Sequence, residues 1–304
     1  MTQLVDGPVR VAVPATSANL GPGFDSLGLA LSMHDHLEAE VVDAGLEVVV
    51  TGAGAGSVPL DESHLVVRSM RAAFGLLGVR PPGLRLVCTN VIPHARGLGS
   101  SSAAIVAGVV LARGLVGGGS LLVDDEALFA LAARLEGHPD NVAPAFFGGF
   151  VISGCDRGGE GAGEFYAVPS AVDPRIEAVA FVPPTPVSTE VARGLLPAKV
   201  PHADAAADAG RAALLVAALA GRPEQLLRAT QDWLHQDYRR PAMPESLALV
   251  DALRADGVPA TVSGAGPTVL ALTDTGGATG LVARCPEGWA AHHLTVDQDG
   301  ARLL

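Results

Sequence analysis

The sequence predicts an α+β protein of two domains, and three observations carry that prediction. A chain of 304 residues is longer than a single core usually serves. Short β-branched runs and helical apolar stripes are interspersed through both halves, which suggests a layered α+β sandwich in each. A polar, glycine-rich tract from Gly154 to Gly163 interrupts the middle, as linkers do. The expected division is 1–160 and 161–304.

Composition then excludes several function classes. Hydrophobic residues make up 49% of the chain and charged ones 17%, the balance of a chain that buries a core. The net charge of -12 opposes nucleic acid and acidic membrane surfaces, and 4% aromatics leave few platforms for stacking bases. An anionic ligand therefore needs a local focus of N–H groups, arginine or metal. Cys88, Cys155 and Cys285 have no C-x-x-C spacing, so neither a disulfide framework nor a zinc knuckle is expected. No apolar run reaches the ~18 residues of a bilayer span, and M-T-Q-L-V-D-G-P lacks the regions of a secretory leader. A cytoplasmic protein is expected.

In chain order, Val9 to Pro14 reads as a strand, and Ala15 to Ser26 as a loop of small and polar residues turned by Gly21, Pro22 and Gly23. Leu37 to Val42 and Leu46 to Thr51 predict a hairpin. His34 and His36 could share a metal, but no further ligand cluster accompanies them. G-A-G-A-G at Gly52 to Gly56 has the wrong spacing for a dinucleotide loop and reads as a connector. A helix starting near Ser63 carries Leu65, Val66, Met70, Ala73 and Leu77 on one stripe and stops at Gly78.

Leu84 to Ile92 is a predicted strand that feeds P-H-A-R-G-L-G-S-S-S-A-A, Pro93 to Ala104, and a helix leaves from Ser102 to about Leu115. Gly97 and Gly99 permit tight turning, and the unpaired N–H groups that follow sit at the positive end of a helix dipole. That order, strand, glycine turn, helix start, is what a phosphate loop requires. No lysine accompanies the glycines, so it is not the common G-x-x-x-x-G-K-[ST] loop, and alanines replace the last glycine of a serine-hydrolase elbow. Read alone, the stretch is equally a Gly/Ser helix cap.

A further helix begins at Asp124–Asp125–Glu126 and ends at Gly137, leaving Glu136 in its last turn. A carboxylate there opposes the dipole by ~0.3–1 kcal/mol, and a magnesium ion bridging to phosphates would relieve it. A solvated side chain at a frayed end is the plain alternative. His138, Asp140 and Asn141 follow in one short turn, and Phe146 to Ser153 reads as a strand. The second half offers a strand at Ile176 to Val182 and a helix capped by Ser188 or Thr189. Helices follow from Asp204 to Ala220, after Pro223 and after Pro244, and then strands at Ala260 and Val269 flank a glycine turn.

Three separated segments together are more specific than any one. V-A-V-P-A-T-S-A-N-L-G-P-G-F-D-S-L-G from Val11, the G-L-G-S-S loop after Pro93, and V-S-G-A-G-P-T from Val262 resemble the GHMP small-molecule kinases. E-G-H-P-D-N-V-A-P from Glu136 and L-H-Q-D-Y-R from Leu234 are similar to the homoserine branch of that family. The resemblance implies a ribosomal-protein-S5-like N-terminal domain, a ferredoxin-like C-terminal domain, and ATP and magnesium as cofactors. It implies phosphorylation of the hydroxyl of L-homoserine, a step of threonine biosynthesis. Pro93, Arg96, Gly97, Leu98, Gly99, Ser100, Ser101, Ser102 and Ala103 would form the nucleotide loop, with Ser101 and Glu136 on the metal. Asn19, Asp25, His138 and Asn141 would hold the hydroxyl and amino ends of the substrate, and Arg193 and Arg239 its carboxylate. Asn19, Asp25, Asn141 and Arg193 form the expected catalytic group, and a homodimer is the expected assembly.

Departures are also visible. His64 and Asp208 stand where the family often has asparagine, and Asn141 stands where some members have an aspartate base. Direct in-line transfer without a dedicated base is expected, with Asp140 the alternative proton acceptor. The rivals are a kinase of the same family acting on mevalonate, a methylerythritol derivative or shikimate, and a non-catalytic nucleotide-binding regulator.

Overall fold

The computed structural model describes residues 3–156 and 163–304. The tract read as a domain linker lies largely outside the described residues.

β1 (Val9–Asn19) and β2 (Gly23–Val42) form one long antiparallel hairpin. The loop expected from Ala15 to Ser26 is thereby corrected: Ala15 to Asn19 continue β1, and only Leu20 to Pro22 turn. Ala15, Thr16, Ser17 and Ala18 are all fully buried, so their small, polar composition serves a packed strand whose hydroxyls find partners. Pro14 has no N–H to give the ladder, and the register slips there, from Pro14↔His34 to Ala15↔Leu31.

β3 (Gly45–Gly52), α1 (Leu65–Leu76) and β4 (Gly83–Asn90) follow. The expected hairpin of 37–42 with 46–51 does not form. β4 lies between β2 and β3, antiparallel to the first and parallel to the second, in the order β1-β2-β4-β3. Alternation records which face of a strand is buried and says nothing of its neighbour; a parallel pair needs the crossover that α1 supplies.

α2 (Ser100–Gly114) begins two residues earlier than expected and is apolar on nearly every side, as a central helix must be. α3 (Gly119–Leu122) and α4 (Asp125–Glu136) lead to α5 (Pro139–Phe147). The expected strand from Phe146 is corrected: Phe146 closes α5, Gly148 and Gly149 turn at positive φ, and β5 (Phe150–Cys155) starts after them. Two prolines hid α5. Pro139 sits at its first position, where no N–H is needed, and Pro144 frees the Asp140 carbonyl, which packs against Gly28. β5 pairs β2 and β6 (Phe165–Ser170), completing a seven-stranded sheet.

The second sheet takes β7 (Glu177–Val182), β8 (Ala260–Val262), β9 (Val269–Thr273) and β10 (Ala290–Thr295), in the order β10-β7-β9-β8 with every pair antiparallel. Between β7 and β8 run α6 (Thr189–Gly194), α7 (His202–Gly221), α8 (Leu226–Ala229) and α9 (Pro244–Ala255). α10 (Ala278–Val282) joins β9 to β10, giving the split β-α-β order of a ferredoxin-like sheet. β11 (Arg302–Leu303) returns to β1. Alternate residues of β7 serve two cores: Ala178, Ala180 and Val182 join the large cluster that includes α2, while Val179 and Phe181 pack with Leu247 and Val250 of α9. β7 thus contributes one face to each core.

Candidate active site

The turn from β4 to α2 is held open by glycine. Gly99 is the helix N-cap at φ 70, and a Cβ there would collide with Thr16 Oγ1. Gly97, at φ 76, packs against the Ser263 carbonyl with equally little room. No side chain caps α2, so the amides of its first turn, Ser100 to Ser102, have no intrahelical partner. Glu136, at the last turn of α4, accepts hydrogen bonds from Ser101 Oγ at 2.5 Å and Ser102 Oγ at 2.8 Å. The carboxylate that the helix dipole disfavours meets two hydroxyls at the positive end of another helix.

Opposite this cluster the cavity is charged. Asp25, in the left-handed region at φ 54, accepts two hydrogen bonds from Arg193, at 2.6 and 3.2 Å. That partner pushes the Arg193 guanidinium up. Arg239 is buried and, among the described residues, bonds only neutral acceptors, Ala192 O, His235 Nδ1 and Gly264 O. Burial, and then the charge of Arg193, push it down to about 10. His235 donates from Nε2 to Gly21 O at 2.8 Å, which leaves Nδ1 free to accept from Arg239 at 3.0 Å, and burial keeps the ring neutral. Phe24 carries both guanidinium groups over its ring, at 5.7 and 5.6 Å.

Neutral donors lie between the two ends. Thr16 Oγ1 donates to Asn141 Oδ1 at 2.8 Å, so the Asn141 NH₂ is left to donate elsewhere. Asn19 bridges the Asp25 amide and the Gly264 carbonyl. His138 Nδ1 lies 3.0 Å from Asp140, and that carboxylate pushes the imidazole up. The loop at Ser263 to Gly266 fastens everything: Ser263 Oγ bonds Gly97 O and Ser17 Oγ, and Gly264 N donates to Ala18 O.

Asn19, Asp25, Gly97, Gly99, Ser100, Ser101, Glu136, His138, Asn141, Arg193 and Arg239 line one cavity of about 330 Å³. Of the loop, Ala95 also lines it, whereas the other residues expected there do not. Leu98 is buried in the core, Ser102 and Ala103 are buried in the helix, and Pro93 lies at the loop's start. The Arg96 guanidinium is spent on the carbonyls of Pro183, Pro184 and His94, fixing the loop to the end of β7. A second cavity of about 260 Å³, more apolar, shares Ser100 and Ser101 with the first and is lined by His64, Leu65, Asn90 and His94. His34 is bound to Asp297, and no cluster of three His, Cys, Asp or Glu occurs among the described residues. Phe24 and His235, which aim the arginines, had no periodicity to announce them; a lone aromatic inside G-P-G-F-D was the available sign.

Residues 64–149 match the GHMP kinases N terminal domain, and residues 214–290 match the GHMP kinases C terminal domain. A homoserine kinase of Streptomyces avermitilis is 57% identical over 97% of this chain and 95% of its own. The chain belongs to the homoserine kinase branch of the GHMP kinases. A homoserine kinase of Clavibacter michiganensis is 51% identical over 97% of this chain and 93% of its own. The crystal structure of homoserine kinase from Cytophaga hutchinsonii superposes with a TM-score of 0.83 at 28% identity, covering 99% of both chains. Membership of this family implies ATP as co-substrate. No helix among the described residues is long and apolar enough to cross a membrane.

Proposed function

We propose that this chain transfers the γ-phosphoryl group of ATP to the side-chain hydroxyl of L-homoserine, with residues 1–160 supplying the phosphate site and 161–304 closing over the acceptor. The observation that carries the reading is the single cavity that joins the Ser101–Ser102–Glu136 cluster at the start of α2 to the Asp25, Arg193 and Arg239 charges. One end suits polyphosphate and the other a small zwitterion. The more apolar cavity, continuous through Ser100 and Ser101, takes the nucleoside.

Two hydroxyls converging on one carboxylate are hard oxygen donors, the set that magnesium accepts alongside phosphate oxygens, so Glu136 and Ser101 fit that ion. Bound there, it would neutralise charge on the transferring group. The amides of Ser100 to Ser102 receive phosphate oxygens, aided by the dipole of α2. Asn141, its oxygen held by Thr16, donates from its NH₂ to the acceptor hydroxyl and keeps that oxygen in line with the γ-phosphorus. Arg193 and Arg239 take the substrate carboxylate, while Asp25 and Asn19 take the ammonium.

No side chain is required as a dedicated base. In a loose phosphoryl-transfer transition state the bond from the γ-phosphorus to the ADP oxygen breaks as the new bond to the hydroxyl oxygen forms, ADP leaves, and the hydroxyl proton passes late to an oxygen of the transferred phosphoryl group and on to solvent. His138 is held by Asp140 and pushed toward its protonated state, which suits it as a donor. The test is ADP release from ATP and magnesium with L-homoserine, mevalonate, shikimate, a methylerythritol derivative or no acceptor. Release driven by homoserine alone is expected; equal release without acceptor, or with another alcohol, contradicts the proposal. Asp140→Asn should lower turnover only a few fold, and a loss beyond ~10²-fold would restore an acid–base mechanism.

A further inference from the structure

Three arginines from three helices meet in the second half of the chain, at residues that line neither cavity of the candidate active site. Arg211 of α7, Arg228 of α8 and Arg254 of α9 border an open depression of about 500 Å³ with Gln225, Gln231 and Glu224. Elsewhere on this acidic surface arginines are met by carboxylates, as Arg113 is by Asp125 and Arg240 by Asp237 and Asp251. Here the acids of the flanking segments are committed to other groups. Asp208 accepts from the Trp233 amide, Asp232 from the amides of Leu234, His235 and Gln236, Asp251 from Arg240, and Asp256 from Arg284.

Arg211 lies over the Trp233 ring at 5.6 Å, with its Nε enclosed and unbonded among the described residues. Arg254 bonds neutral oxygens, those of Leu227, Thr230 and Ala260, and burial pushes its guanidinium down. Arg228 is exposed, and Glu224, the one carboxylate bordering the depression, lies 3.9 Å from Arg222. Three guanidinium groups against one carboxylate leave an excess of two positive charges. A phosphate monoester carries about -1.5 to -2 at pH 7 and offers three oxygens, which suit planar two-pronged donors, and the glutamine amides add neutral ones. A monocarboxylate would leave half that excess unmet, and a nucleic acid meets the net charge of -12. We propose that Arg211, Arg228 and Arg254 form a binding site for a small phosphate-class dianion, outside the active site. It stands independently of the kinase reading.

Trp233 is a built-in reporter, because the chain has one other tryptophan, Trp289. In a Trp289→Phe chain, Trp233 emission is followed at constant ionic strength as inorganic phosphate, O-phospho-L-homoserine or chloride is added. A saturable change with phosphate, with the monoester or with both is expected, and none with chloride. The arm that saturates names the source. Arg228→Gln and Glu224→Gln are then made in the same chain; both positions are exposed, so neither change removes a buried contact. Arg228→Gln should weaken binding by about fivefold or more, and Glu224→Gln should tighten it by about twofold. Opposed shifts at two neighbouring residues locate the anion between them, which a structural disturbance would not do. A response that follows chloride equally, or saturates with neither phosphate ligand, overturns the site. Saturation without opposed shifts in the two variants places the anion elsewhere and overturns it too.

Discussion

At the end of the cavity proposed for the nucleotide, the lining comes from Gly97, Gly99, Ser100 and Ser101 of one turn and from the carboxylate of Glu136, which Ser101 and Ser102 bond. At the end proposed for the acceptor it comes from Asn19, Asp25, His138, Asn141, Arg193, Arg239 and Gly264, separated by much of the chain, with Asp25, Arg193 and Arg239 bearing full charges. The first end depends on backbone shape, the second on partners for each charge. This acidic protein thus carries two features that suit anions: helix-start amides that need no net charge, and two arginines set over one aromatic ring.

The comparison breaks most readily at the one charge the nucleotide end contains. Glu136→Gln keeps the shape and can still bond Ser101 and Ser102 but surrenders the anion. Turnover should fall by ~10²–10³-fold, with the magnesium requirement moved to higher concentration, as steady-state titration of the metal reads. A fall of only a few fold would make Glu136 an anchor for the serines and nothing more.

Backbone shape is tested at Gly99. Gly99→Ala places a side chain at φ 70, where it meets Thr16 Oγ1 and, at 3.1 Å, Asn141 Oδ1. Stability should drop by about 1–2 kcal/mol, read by denaturant melting, and the KM for ATP should rise more than that for homoserine, which Thr16 and Asn141 also touch. A rise in both equally would mean that the two ends are not separable.

The smallest effect is expected beneath the acceptor end. Asp208 is buried and accepts from the Trp233 amide at 3.0 Å, below the segment that carries His235 and Arg239. Burial, with Asp232 nearby, pushes its carboxyl from 3.8 up to about 6. The native state therefore holds that proton more tightly than the unfolded chain, and stability from this group is lost as pH rises through about 6. Asp208→Asn keeps an acceptor for Trp233 and removes the ionisation. It should stabilise by on the order of 1–2 kcal/mol above pH 6, with the gain closing toward pH 4. A gain independent of pH would place its cause outside the titration.

What the sequence disclosed follows the same division. The turn from β4 into α2 was legible because its glycines, serines and helix start are contiguous, and the place of Glu136 in a last helical turn because Gly137 marks the stop. The hairpin β1–β2 was misread because Ala15 to Asn19 have loop-like composition, and only tertiary packing shows them as a buried strand. α5 was missed because Pro139 and Pro144 read as breakers, although one sits at a helix start and the other faces Gly28. Arg96 was placed in the nucleotide loop by the family resemblance, and its guanidinium bonds three carbonyls instead of lining the cavity. The charge pair of the acceptor end spans 168 positions, a contact that no local pattern encodes.

The most direct measurement is a crystal structure of the protein with magnesium and a non-hydrolysable ATP analogue. Triphosphate oxygens on the amides of Ser100 to Ser102, with the metal against Glu136, are the predicted result. Triphosphate density lodged away from 97–102 and from Glu136 would contradict it.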